Sequence, residues 1–222
     1  PTRRSSDLEQ FCYGILDADN IPRRRFFEVQ SFFREVRPYE QVLTTPVHSD
    51  VAILYDFDAL ASFRIQQQSC LLDCEREMKR LHSCLFRAGQ SVDVIPASRD
   101  FSHYKLVLVP NLIVTDPDFA ARLKAYVAGG GVAVVTYRTA VKDRDNNLVF
   151  GKTTPVDCGD LLGLYVEETE SVQAYDCIPI AGEKGGGTAG IFRDMVVSQG
   201  AQVLWHYDDP FYRSYAAITR NA

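Results

Sequence analysis

The chain has 222 residues, and its 24 Lys plus Arg against 29 Asp plus Glu give a formal net charge of −5. Hydrophobic residues at 46% and charged residues at 24% are close to the average of a folded globular chain, which excludes a disordered polymer. A complete (β/α)8 barrel takes about 250 residues, so a barrel enzyme with accessory domains is excluded as well.

The charge balance shows no basic patch of the kind nucleic acid requires. No run approaches the roughly 18 apolar residues of a membrane-spanning helix, and the opening PTRRSSDLEQ has no apolar segment of a secretion signal. Residues 11–37 divide into a loop and a helix. Leu16–Pro22 is turn-rich, and Pro22 is placed to open the helix at its first position. Phe26, Val29, Phe33 and Val36 recur at three-four spacing and Phe27 and Phe32 widen the stripe, so this helix needs something to bury against. Arg23, Arg24 and Arg25 read as a solvated helix start diluted by Glu28 and Glu35, not as a phosphate patch. Pro38 ends the helix, and residues 39–49 read as a linker.

From residue 50 the pattern changes. Val51–Tyr55 is a short continuous apolar run, as in buried parallel strands. Residues 64–88 read as one helix whose Leu71, Cys74, Met78, Leu81 and Leu85 form a buried stripe. Glu75 and Lys79 pair on another face, and Gly89 closes the helix. Val92–Pro96 and Leu106–Val109 are the second and third strands. Asp116, Pro117 and Asp118 then supply a cap, a first-position proline and a first-turn acid for the next helix, along which Phe119, Leu123, Tyr126 and Val127 are apolar. Gly129, Gly130 and Gly131 end it, and Val132–Tyr137 is the fourth strand. Strands alternating with helices predict an α/β fold: an open, mostly parallel sheet with helices on both faces. The last third is less regular. Asp160–Leu164 is a short helix or turn before a strand at Tyr165, Gly185, Gly186 and Gly187 mark a flexible loop, and Gln202–Tyr207 pairs with Tyr215–Thr219 as a hairpin.

Of the six cysteines, Cys12, Cys70, Cys74, Cys84, Cys158 and Cys177, none forms a C-x-x-C pair, and free thiols of a reducing compartment fit best. Cys74 reads as a small buried hydrophobe, and the four histidines match no metal-site spacing.

Ligands of open α/β sheets bind beyond the carboxyl ends of the strands. After the first strand stand Tyr55, Asp56, Phe57 and Asp58, where a nucleotide site would want glycines and free N–H groups. Two carboxylates repel phosphate, and no G-x-G-x-x-G occurs, so no cofactor is expected. A phospho-accepting receiver would need an Asp after the third strand, where this chain has Pro110 and Asn111. After the fourth strand, where class I glutamine amidotransferases carry a nucleophilic Cys on a sharp turn, come Tyr137, Arg138 and Thr139, and no thiol is near. The cluster Glu167, Glu168 and Glu170 reads as a solvated edge and not as a pair of sugar-cleaving carboxylates. Tyr55, Asp56, Phe57, Asp58, Tyr137 and Arg138 are the candidates for a binding or interface crevice; solvated loop positions are the alternative for the two acids.

Val51–Asp58, Asp100–Pro110, Leu123–Val132, Tyr137–Thr139, the loop Lys142–Asn147, Leu161–Leu164 and Ala217–Asn221 together, in this order and spacing, resemble the trimerisation domain of glycoside hydrolase family 42 β-galactosidases. Tyr13–Pro22 with the aromatic helix that follows resembles the end of that family's catalytic barrel. The resemblance implies two parts: residues 1–46, the barrel's last loop and helix plus a linker, and residues 47–222, a flavodoxin-like or glutamine amidotransferase-like domain without the nucleophile Cys. It further implies a homotrimer formed through 47–222, with residues 11–37 packed on a barrel outside this sequence. Neither catalytic Glu of the family has a counterpart here, so the chain is expected to be an inactive fragment of a cytoplasmic enzyme acting on β-galactosides, with no metal, nucleic-acid or membrane partner. The alternatives are a stand-alone amidotransferase-like enzyme with a relocated nucleophile, for which Cys158 is the candidate, and a sugar-binding module.

Overall fold

A computed structural model describes residues 14–16 and 19–222. The chain divides after His48 into two units, each described by itself. Cys12, Asp17 and Ala18 lie outside the described residues.

In the first unit, helix α1 spans Arg24–Val36, a single 3-10 turn follows at Arg37–Tyr39, and helix α2 covers Glu40–Leu43. Pro22 therefore sits two residues ahead of the helix instead of opening it, and the expected linker is helical through Leu43. Two of the three arginines have carboxylate partners four residues away, as expected of a solvated start: Arg23 binds Asp19, and Arg24 binds Glu28 within the helix. Phe26, Val29 and Val36 are half-buried, while Phe27, Phe32 and Phe33 are exposed.

The second unit holds two sheets. Strands β1 (Val51–Tyr55), β2 (Val92–Pro96), β3 (Leu106–Val109) and β4 (Val132–Val135) form a parallel sheet in the order β2-β1-β3-β4. Register is continuous: Ile53 lies opposite Val94 on one side and Leu108 on the other. The central strands β1 and β3 are buried, which is why they read as unbroken apolar runs.

Three helices serve this sheet: α3 (Phe57–Ile65), α4 (Cys74–Arg87) and α5 (Pro117–Ala128). Helix α5 begins as its sequence predicts. Asp116 accepts the N–H of Phe119 at 2.7 Å and Pro117 occupies the first turn, while Gly130 at φ +94 leaves the helix. Phe119, Leu123 and Tyr126 enter the main core with Phe63, Phe101, Val107 and Val109; a side chain like Phe119 contributes about 1.5–3 kcal/mol by leaving water. The single helix expected over 64–88 is instead two. Gln68 takes a left-handed φ of +60, and Asp73 caps α4 by accepting the N–H of Arg76. Leu71 thus precedes the helix. The stripe of Cys74, Met78, Leu81 and Leu85 is half-buried, and Glu75 pairs with Arg64 of α3 at 2.7 Å.

The larger departure is a second sheet. Helix α6 (Gly159–Leu162) leads into β5 (Leu164–Ser171), β6 (Ile178–Gly182), β7 (Gly185–Ala189), β8 (Phe192–Ser198), β9 (Gln202–Tyr207) and β10 (Ala216–Arg220). These six form an antiparallel sheet in the order β5-β8-β10-β9-β6-β7. The expected β9–β10 hairpin is present, with Ala216 opposite His206. The glycine run expected as a loop is strand β7, paired along its length with β6. Gly182 has a specific reason to be glycine: a Cβ there would fall 2.3 Å from the Leu204 carbonyl and 2.5 Å from the Trp205 ring. The two sheets meet where Phe192 of β8 joins the main core and its ring lies 5.6 Å from that of Tyr137.

Candidate functional site

The carboxyl edge of the parallel sheet carries all six candidate residues, in two groups with different partners. In the first, Asp56 caps α3, accepting the N–H groups of Asp58 and Ala59 on Oδ1. Its Oδ2 accepts Arg144 Nη1 at 2.7 Å, and Asp58 accepts the same nitrogen at 3.3 Å. The guanidinium also reaches Asp116, the cap of α5, through Nε at 2.9 Å. One arginine thus ties the starts of two helices and lies across the mouth between them. Burial pushes the Asp116 carboxyl up, but the Phe119 N–H and Arg144 outweigh it and leave its pKa lowered. Tyr55 and Phe57 stack edge to face at 5.2 Å, and Phe57 stays exposed.

The second group turns toward the antiparallel sheet. Arg138, at a left-handed φ of +57, directs its N–H to Asp194 Oδ2 at 3.3 Å and Nη2 to Gln68 Oε1 at 2.5 Å. Asp194 also accepts Thr169 Oγ1 at 2.7 Å; burial is the main reason its carboxyl titrates above the usual range. Desolvation pushes the Tyr137 phenol up to about 12, and among the described residues its buried hydroxyl and the buried Arg138 Nε have no hydrogen-bond partner. Among the described residues no hydrogen bond or ion pair joins Asp56 or Asp58 to Tyr137 or Arg138. The first group holds the sheet's carboxyl edge together, and the second joins it to the antiparallel sheet.

Sequence reading missed the partners that make both arrangements. Arg144 lies within the loop Lys142–Asn147, but nothing local marks it as the group that meets two helix caps. Asp194 sits in a strand of ordinary alternation, and Gln68 in a segment read as helix. The thiol candidate is overturned: Cys158 is 1% exposed and burial, with Asp157 nearby, raises its pKa to about 11, the opposite of an activated nucleophile. Cys74 is likewise packed against the core and raised to about 11 by burial first and Asp73 second. Glu167 and Glu168 are exposed on edge strand β5, and Glu170 is engaged by Arg193 at 2.7 Å, in keeping with a solvated edge. No group of three or more His, Cys, Asp or Glu among the described residues could hold a metal ion, and no described helix is long and apolar enough to cross a membrane.

What these observations define is a two-sheet α/β module whose sheet edge is closed by its own side chains. Comparison with known proteins gives the family: residues 49–222 match the β-galactosidase trimerisation domain, and the chain belongs to that family. It resembles β-galactosidase BgaA of Clostridium cellulovorans, 33% identical over 219 residues, which takes in 96% of this chain and 32% of that protein. Among solved structures, Gan42B, a GH42 β-galactosidase from G. stearothermophilus, superposes with a TM-score of 0.80 at 26% identity, covering 96% of this chain and 31% of that one. The β-galactosidase of Bacillus circulans sp. alkalophilus shares the fold, with a TM-score of 0.81 at 23% identity. The chain spans about a third of the length of these relatives.

Proposed function

We propose that the chain is the assembly part of a β-galactosidase, holding three copies together through residues 47–222, while hydrolysis of terminal β-galactosides is carried out by a barrel outside these 222 residues. The observation that carries this reading is the family match over 49–222, joined to a sheet edge whose carboxylates are already committed to Arg144. On this reading residues 1–46 belong with the barrel, and the exposed Phe27, Phe32 and Phe33 of α1 are the surface it covers. The strand order β2-β1-β3-β4 supports a flavodoxin-like or amidotransferase-like ancestry, since it repeats the first four positions of the doubly wound order 2-1-3-4-5. Fold does not carry chemistry with it, and the buried Cys158 gives this domain no nucleophile to replace the missing one. Amine cross-linking of the dilute chain tests the assembly role. A ladder that stops at three copies supports it, and a single uncross-linked band at every concentration contradicts it.

A further inference from the structure

Helix α3 is apolar on two sides. Ala59 and Phe63 are buried in the core, while Phe57, Ala61 and Ile65 recur every fourth residue on the opposite side and are exposed. A surface helix ordinarily turns a polar face outward. The loop that follows β4 runs along this helix. Arg144 meets Asp58 at 3.3 Å near the helix start, and Asn146 Oδ1 accepts the Ser62 hydroxyl at 2.6 Å near its middle. Just past its end, Gln66 lines one groove with Asp143, Leu148 and Phe150. The loop thus extends the apolar side of α3 with two more open side chains.

The patch is large. Phe57 is 72% exposed, Ile65 76%, Leu148 58% and Phe150 94%. Large apolar side chains present about 150–250 Å² each, so these four offer about 500–600 Å², at the upper end for the largest patch of a monomer. A stable interface buries about 800 Å² on each partner, and this patch supplies most of that. Both charged residues of α3 are already matched within the chain, Asp58 by Arg144 and Arg64 by Glu75. Asp143, the acid of the groove, accepts the N–H groups of Asp145 and Asn147, which also fixes the loop before anything binds. Elsewhere in the second unit exposed apolar side chains are more spread out. Val94 and Val134 sit on opposite edge strands of the parallel sheet, and Tyr175 and Phe211 in turns of the antiparallel half.

We propose that the outer side of α3 and the Leu148–Phe150 segment are buried against a second copy of this chain. The match over residues 49–222 is to a trimerisation domain, which makes another copy the occupant, and the area is that of a protein interface. The proposal rests on the assembly reading above and names its surface.

Sedimentation equilibrium of the 222-residue chain tests it, with Ile65→Glu and Phe150→Ser inside the patch and Tyr175→Ser and Phe211→Ser, each 85% exposed, as controls outside it. Ile65→Ala and Phe150→Ala repeat the measurement if either polar variant loses the circular dichroism of the parent chain. Each patch variant is expected to weaken association about tenfold or more, as a central interface residue does, and each control to leave it unchanged. Association unchanged by both patch variants overturns the proposal and leaves trimer formation standing. Controls that weaken association as much as the patch variants overturn it as well. A chain that stays monomeric at every concentration overturns both the proposal and the assembly reading.

Discussion

Arg144 and Asp56 meet at 2.7 Å, and the carboxylate that binds the guanidinium is also the cap of α3. The same arginine holds Asp116, the cap of α5, at 2.9 Å. The two helix starts that flank the sheet's carboxyl edge are therefore fixed by one side chain from the loop above them. Helix N-termini attract negative charge, and here both have their own carboxylate, each matched in turn by the arginine. In many open α/β sheets this edge is where a ligand sits; in this chain the two acids that follow β1 are engaged by Arg144.

Replacing Arg144 by Met leaves both caps without their cation. The arginine is partly exposed, so solvent screens the interaction, and the expected loss is about 1–2 kcal/mol in urea unfolding. The pH dependence gives a sharper readout. The folded pKa of Asp116 is lowered, so its contribution is complete above the unfolded pKa and disappears as pH falls through the folded one. In Arg144→Met that acid-side loss should shrink. An unaltered profile would show that the tie does not stabilise the edge.

Asp194 behaves in the opposite sense. Burial raises its folded pKa, so the native state binds a proton more tightly than the unfolded chain, and stability falls as pH rises from the unfolded to the folded value. Asp194→Asn should remove that decline, which a series of urea titrations across the acid range would reveal. A slope identical to that of the unsubstituted chain would count against a buried carboxylate at the seam between the sheets.

The thiols should separate cleanly by burial. Cys70, Cys84 and Cys177 are exposed, whereas Cys158 is buried and its pKa is raised to about 11. Brief alkylation of the native chain at neutral pH, followed by peptide mass analysis, should label the first three and leave Cys158 unmodified until the chain is unfolded. Rapid labelling of Cys158 would revive it as a reactive group.

Gly131 is required by its neighbour. A Cβ there would lie 2.2 Å from Cζ of Tyr126, a buried ring whose hydroxyl donates to the Val132 carbonyl at 3.1 Å. Gly131→Ala should cost about 1–3 kcal/mol, the usual price of overpacking. A thermal midpoint unchanged from that of the parent chain would mean that the ring moves aside freely.

The parallel half of the fold was legible because its determinants are local. Val51–Tyr55 and Leu106–Val109 are apolar throughout, being central strands, and Asp116-Pro117 announces a helix start by its own chemistry. Of the antiparallel half, the β9–β10 hairpin and the strand at Tyr165 were legible but the glycine strand was not, because pairing and not side-chain pattern defines β7: Gly185, Gly186 and Gly187 have no side chains to alternate, and only β6 beside them makes a strand. The break at residues 66–73 was hidden because Leu71 continues the helical spacing of Cys74 and Met78 across a turn. As for the candidate site, the positions Asp56 and Arg138 could be named from strand ends alone. Arg144 and Asp194 could not, since each matters through a residue more than twenty positions away, and spacing along one chain carries no such information.

On the proposed reading this domain joins copies of itself. Light scattering coupled to size exclusion of the 222-residue chain measures it directly. Three copies of a 25.0 kDa chain should give about 75 kDa (3 × 25.0). A molar mass of 25.0 kDa that persists into the micromolar range would contradict self-association through this domain.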